Sequence, residues 1–346
     1  MDEFRLLSLL SAEQPRRQRV IENVLKGRRT VSTLFWGMRY GILDWLGYEK
    51  RLSRQYYDGL FHQLLAEEKL APANQQFVLT SAGQSRLTEL APMHYRPRFL
   101  GVGRQFDGQR FKERLLLMIQ VVSEFSYGNR RYYPLQVSQD NLQFVRSWFR
   151  WFKQNNYTVE AFQSELETYL SNLGDDQLAL MLAQRFVGHD TVGETTEQLA
   201  LQFERPASQI AEIQDDLLLG MIPVIQANEE SVLYPILSGL AINPLSESAY
   251  QTLTEIKRGL TFDQIIRARR LKESTVREHV LEAAILLPIE DVPYDRLLNE
   301  ETQASLNKIF ESQALDDWDF ERAHSKMPAL SFFEFRLYQI LRSKTN

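Results

Sequence analysis

The chain reads as a mainly α protein with more than one folding unit, and three observations predict this. Segments with a readable hydrophobic period repeat at helical spacing, as Val20, Ile21, Val24 and Leu25 do, and again Tyr57, Leu60, Phe61, Leu64 and Leu65. The 346 residues exceed the roughly 100 to 200 of one typical domain. Hydrophobic residues at 44% and charged residues at 25% are the composition of a folded chain, with no bias toward disorder or a fibrous repeat.

In chain order, helices are expected over 17–26, 31–46 and 53–67. Residues 69–83 break the helical period: two short extended pieces flank Asn74 and Gln75, and Phe77 and Leu79 alternate in the second, which predicts a small β-hairpin. Three helices and a hairpin ending in Leu79-Thr80-x-x-Gly83 resemble a winged-helix domain, assigned to residues 1–95. The Pro-, Gly- and Arg-bearing stretch 91–108 reads as a surface connection. It leads into a central helical domain, 96–245, with helices over 111–125, 138–153 and 159–172. Within that domain, 177–219 carries a degenerate helix-turn-helix pattern: a first helix, a cap at Thr195 or Thr196, then Glu204-Arg205-Pro206 and a longer helix from Ala207. Between Asp176 and Glu255 the basic residues are Arg185 and Arg205, so this copy is expected to pack or to meet a protein partner.

The last domain, 246–346, contains the most informative stretch, Gly259 to Ala284. Thr261 with Gln264 three residues on makes a capping box, and Leu260 with Ile265 a hydrophobic staple. A short break at Arg270 and Leu271 leads to a second helix, so the pair predicts a helix-turn-helix. On a helical wheel with Val276 and Val280 facing inward, Ser274, Thr275, Glu278, Leu281 and Glu282 point outward, with Arg277 and His279 on the flanks. A helix over 299–312 follows, and Asp316-Asp317-Trp318-Asp319-Phe320 reads as a solvated turn with an anchoring Trp. Ser331 and Glu334 form a second capping box, with Leu330 and Phe335 as its staple, and the apolar final helix is expected to pack on the domain before it.

Composition excludes several chemistries. The chain has no cysteine, hence no disulfide, thiol nucleophile or Cys-based zinc site. None of the phosphate-loop, dinucleotide-binding, zinc-protease or nucleophile-elbow motifs is present, and the five histidines are isolated from one another. The expectation is therefore a non-enzymatic protein with no cofactor, no metal and no small-molecule substrate. No stretch approaches the roughly 20 apolar residues of a membrane span, and the N-terminus lacks the apolar run of a signal peptide, so a cytoplasmic location without membrane contact is expected.

The net charge of −5 conceals a split. Residues 1–150 carry 23 Lys and Arg against 14 Asp and Glu, and the remainder 17 against 31. Inside the acidic part, 257–277 is a basic island with seven cations against Asp263 and Glu273. Candidate DNA contacts there are Arg267, Arg269, Arg270, Lys272, Ser274, Thr275 and Arg277; the cations sit mainly before the second helix, at Arg267, Arg269, Arg270 and Lys272, a position for holding phosphates more than for reading bases. Arg130 and Arg131, set among Tyr127, Tyr132 and Tyr133, are further candidates, because arginine mixed with aromatics can stack unpaired bases while neutralising phosphate. A similar mixture from Arg146 to Lys153 reads instead as an amphipathic core helix with arginines at its edge.

The stretch from Ala249 to Ile285 resembles the helicase-associated helix-turn-helix domain, through Leu253, Gly259-Leu260-Thr261, Ile265, Arg270-Leu271-Lys272, Ser274-Thr275-Val276, His279 and Val280. That domain ends some RecQ-type helicases and also a family of stand-alone YpbB-like firmicute proteins encoded beside a RecQ-like helicase; the closing segment from Ser331 to Leu337 is similar to theirs. The resemblance implies a DNA-binding accessory protein whose partner is a RecQ-like DNA helicase in DNA repair or recombination; the placement of the cations points to low sequence specificity. Where the family's turn has glycine this chain has Arg270, at which a positive φ would carry a steric cost. The alternatives are a winged-helix or helix-turn-helix transcription regulator, or a protein-interaction adaptor without DNA binding.

Overall fold

Short polar residues open most of the helices, and left-handed residues end many of them. The structure, a computed structural model, describes residues 1–345. It begins with α1 (Glu3–Ser8), α2 (Gln18–Leu25), α3 (Val31–Arg39) and α4 (Arg54–Ala66), then the strands β1 (Leu70–Ala73) and β2 (Gln76–Leu79), then α5 (Ser81–Leu90). Thr30 and Ser53 accept the N–H groups of Thr33 and Tyr56 to start α3 and α4. The helix expected over 31–46 is shorter, because Gly41 at φ +63° turns the chain after α3 and a 3₁₀ turn, Leu43–Trp45, follows.

β1 and β2 pair antiparallel, Leu70 opposite Leu79 and Ala73 opposite Gln76. Asn74 and Gln75 both have positive φ, the two-residue turn whose twist matches paired strands. Arg16 adds a bridge on the other edge of β2, exchanging two 2.9 Å main-chain hydrogen bonds with Phe77. Gly83 lies in α5 instead of closing the hairpin. Thr80 Oγ1 accepts its N–H at 3.1 Å, and a Cβ there would stand 2.3 Å from the Lys69 carbonyl oxygen. The Leu-Thr-x-x-Gly motif thus supplies a buried Leu79, a helix cap and a close helix–strand approach.

Residues 88–242 form a unit of their own, with α6 (Gly108–Ser126), α7 (Gln139–Gln154), α8 (Val159–Ser171), α9 (Asp176–Ala183), α10 (Thr196–Gln202) and α11 (Ala207–Gln226). Phe111, Leu115 and Met118 of α6, Trp148 and Phe152 of α7, and Ile213, Leu217 and Ile222 of α11 build its core. The stretch expected as a surface connection is tied down instead. Buried Asp216 of α11 accepts Tyr95 Oη at 2.6 Å and the N–H groups of Arg98 and Phe99 at 2.8 and 2.9 Å. The degenerate helix-turn-helix pattern corresponds to α9–α11: Thr195 and Gln198 make a reciprocal capping box, and Glu204 takes φ +53° between α10 and α11. Its long second helix, α11, is the buried spine of this unit.

The C-terminal stretch holds α12 (Glu247–Lys257), α13 (Phe262–Arg269), α14 (Glu273–Leu286), α15 (Tyr294–Leu297), α16 (Glu300–Ile309), α17 (Phe320–Lys326) and α18 (Phe332–Thr345). Among the described residues it joins 1–87 in one unit, so the chain's two terminal regions pack together where the sequence suggested successive domains. Arg29 Nη2 donates to Glu282 at 2.6 Å, Arg39 Nε donates to Asp316 at 2.6 Å, and the Arg336 guanidinium lies 3.9 Å above the Phe35 ring. Asp316 therefore belongs to an internal joint and not to a solvated turn; Trp318 stacks on Phe310 at 4.6 Å and donates to the Gln313 carbonyl. Ser331 and Glu334 form the expected reciprocal cap of α18, whose Phe333 meets Phe262 of α13 edge-on at 5.7 Å. The final helix packs on α14 as expected, and on α3 as well.

Candidate nucleic-acid interface

α12, α13 and α14 form a trihelical unit around Leu253, Ile256, Ile265, Val276 and Val280, all buried. Thr261 Oγ1 accepts the Gln264 N–H at 3.3 Å while Gln264 Oε1 accepts the Thr261 N–H at 2.8 Å, so the predicted capping box begins α13. α13 ends at Arg270, which takes φ +53°, ψ +40°, the left-handed conformation that glycine would adopt without steric cost. Lys272 is the N-cap of α14, and no side chain caps that helix.

The candidate cations separate into two groups. Arg267, Arg270 and Lys272 are exposed, as is Ser274. Arg269 is consumed inside the fold: its Nη1 donates to Thr252 Oγ1 at 2.7 Å and to the Ser248 carbonyl at 3.2 Å, its Nη2 donates to Ser248 Oγ at 2.8 Å, and Glu255 lies 3.6 Å away. It pins α13 to α12. Arg277 pairs with Glu273 one turn back at 2.5 Å and sits 5.8 Å from the Phe333 ring, and Thr275 is half-buried. The outward face of α14 also differs from the helical wheel. Leu281 and Glu282 are buried, because α14 is covered by α12 and α13 on one side and by α3 and α18 on others. Glu278 remains exposed, so one carboxylate, not two, faces out from those positions.

His279 Nδ1 lies 2.8 Å from Thr252 Oγ1, next to the Arg269 anchor. Burial, and then the Arg269 charge, push its pKa below the ordinary 6.5. The unfolded chain binds that proton more readily, so stability is complete above about pH 6.5 and is lost as pH falls through the lowered folded value. The melting temperature is expected to fall between about pH 7.5 and 5.5, and His279→Gln is expected to flatten that slope.

A second cationic region lies in the 88–242 unit. The loop after α6 is folded back onto that helix: Gln120 Nε2 donates to the Tyr133 carbonyl at 3.0 Å, Gln120 Oε1 accepts the Leu135 N–H at 2.8 Å, and Asn129 Nδ2 donates to Glu124 at 2.6 Å. This sets Arg130 and Tyr132 on one wall of a cavity of about 620 Å³, with Arg146, Phe149 and Lys153 of α7 on the other. Arg131 is exposed and does not line it. Reading Arg146–Lys153 as a core helix holds for Trp148 and Phe152 but misses this wall; the sign available in the sequence was that two arginine–aromatic mixtures recur about 20 residues apart.

A family model described as a helix-turn-helix domain matches residues 248–339, spanning the trihelical unit and most of the segment to α18. Protein YpbB of Bacillus subtilis (strain 168) is 22% identical over 270 residues, covering 77% of this chain and 76% of that protein, a distant relationship. No solved structure matches the chain significantly. No helix of the described residues is long and apolar enough to cross a membrane.

Proposed function

We propose that this chain is a non-enzymatic DNA-binding accessory protein that works with a RecQ-like DNA helicase in DNA repair or recombination, in the cytoplasm. The observation that carries the DNA-binding part is the exposed cluster Arg267, Arg270 and Lys272 at the turn between α13 and the uncapped start of α14, within a helix-turn-helix domain. Cations at such a turn, beside a helix N-terminus, suit phosphate oxygens. With Glu278 on the exposed face of α14 and Arg269 held internally, the contacts favour backbone over base edges, hence low sequence specificity. The helicase partner rests on the resemblance to proteins encoded beside such a helicase and on the distant likeness to YpbB. The proposal gives the chain no catalytic step, cofactor or small-molecule substrate.

The test combines the full chain with the RecQ-like helicase of the same organism and with duplex DNA. Complex formation is expected, and the R267E/R270E/K272E triple variant is expected to lose at least about tenfold in duplex affinity. The slope of log affinity against log salt should flatten by about three, since each phosphate contact contributes roughly 0.9. Tight binding to one palindromic sequence without a helicase complex would favour a transcription regulator. Duplex affinity unchanged by the triple substitution would leave an adaptor.

A further inference from the structure

We propose that the cavity between α6, α7 and the 127–137 loop binds single-stranded nucleic acid, one base entering the cavity while Arg130, Arg146 and Lys153 hold the neighbouring phosphates. This site goes beyond the helix-turn-helix reading and does not depend on it, because it is built from the 88–242 unit alone.

Charge is the first reason. Three cations line the cavity and no carboxylate does. Neither the Arg130 nor the Arg146 side chain has an ion-pair or hydrogen-bond partner among the described residues, and Lys153 meets the ring of Phe149 at 4.9 Å. Over 127–153 the chain carries five cations against Asp140, in a protein of net charge −5. Like charges gathered at one cavity repel one another and are relieved by an anion.

The walls say which anion. Phe125 and Phe149 meet edge-to-face at 5.2 Å, and Tyr132, Leu117, Val121 and Leu142 line the same cavity, so much of its lining is apolar or aromatic. A bare phosphate would leave these surfaces unused, whereas a flat ring carrying a phosphate uses both wall and rim. A cavity of about 620 Å³ lies within the roughly 300–1,000 Å³ range of sites for small organic groups. Beside the cavity, Phe125 and Tyr133 are 45% and 97% exposed, and Tyr127, one face of which stacks on His189 at 4.5 Å, is 70% exposed; their open faces are platforms on which further unpaired bases can stack. A base within a duplex could enter only after leaving its stack, which favours a single strand.

The test measures fluorescence anisotropy of a labelled short oligothymidylate on the full chain, with a duplex of equal length, thymidine monophosphate and inorganic phosphate as competitors. The R146E/K153E variant is expected to lose at least about tenfold in oligothymidylate affinity and part of its salt dependence. Phe125→Ala, at a partly exposed ring, should lose about five- to a hundredfold. Circular dichroism and melting check that both variants stay folded. R267E/R270E/K272E should leave single-strand affinity unchanged while lowering duplex affinity, so the two sites fail separately. Oligothymidylate binding that is absent, or unchanged in both cavity variants, would overturn the proposal. Thymidine monophosphate binding as tightly as the strand would reassign the cavity to free nucleotides. Displacement by phosphate with no effect of Phe125→Ala would reduce it to a general anion site.

Discussion

Asp216→Ala is expected to destabilise the 88–242 unit by about 3–5 kcal/mol, because the carboxylate is buried and three donors converge on it. Burial, and then the carboxylate itself, push the Tyr95 phenol well above its ordinary pKa, so it stays a donor at any physiological pH. Removal strands this buried phenol, at about 1–3 kcal/mol, and two partly buried main-chain N–H groups, for which water recovers part of a similar cost. It also frees the segment 95–104 from α11. Asp216→Asn keeps a carbonyl oxygen and should cost about half as much. Urea unfolding gives the total, and hydrogen exchange locates it. Faster exchange in peptides over 95–104 and α11 is the expected result; unchanged exchange there would show that the segment is held by its apolar contacts alone.

How far the fold could be read from the chain depended on the range of the forces involved. Local rules did well: Thr261 with Gln264 and Ser331 with Glu334 form the boxes their three-residue spacing announces, and the cap expected at Thr195 or Thr196 falls at Thr195, where Gln198 completes a box, because a cap is completed within one turn. Hydrophobic period located most helices for the same reason. Periodicity could not reveal what covers a helix. The wheel gives α14 one inward stripe, but α3 and α18 cover a second, so Leu281 and Glu282 are interior. Arg39 and Asp316, or Arg29 and Glu282, are 277 and 253 residues apart, and no short-range pattern marks such a pair. Charge counting has the same blind spot. Arg269 and Arg267 count alike in the sequence, although one is bound to Ser248 and Thr252 and the other is exposed. The central cavity was half legible: both of its arginine–aromatic stretches stood out, but their meeting depends on the loop being folded back by Gln120.

Glu282→Ala offers the sharpest separation of stability from DNA binding. Its Oε1 accepts Arg29 Nη2 at 2.6 Å and the Ser246 N–H at 2.7 Å, so one carboxylate ties the N-terminal helices and the start of α12 to α14. The loss is expected at about 2–4 kcal/mol, below that of a fully buried pair, because Arg29 is partly exposed and can turn to water and to the Pro244 carbonyl it already meets. Glu278→Ala, an exposed position four residues earlier, should change stability by no more than about 0.5 kcal/mol. Hydrogen exchange in Glu282→Ala should rise in peptides over 28–35 and over α12 together, since both lose the same anchor. Below its lowered melting temperature the variant should bind duplex DNA as the parent does, because a carboxylate turned into the core is not among the groups that meet phosphate. Arg267→Glu should do the reverse, leaving stability within about 0.5 kcal/mol and weakening duplex binding. If Glu282→Ala weakens binding as much as Arg267→Glu while still folded, the DNA-contacting surface must instead depend on how α3 and α14 are joined, and the exposed turn cannot be its sole source.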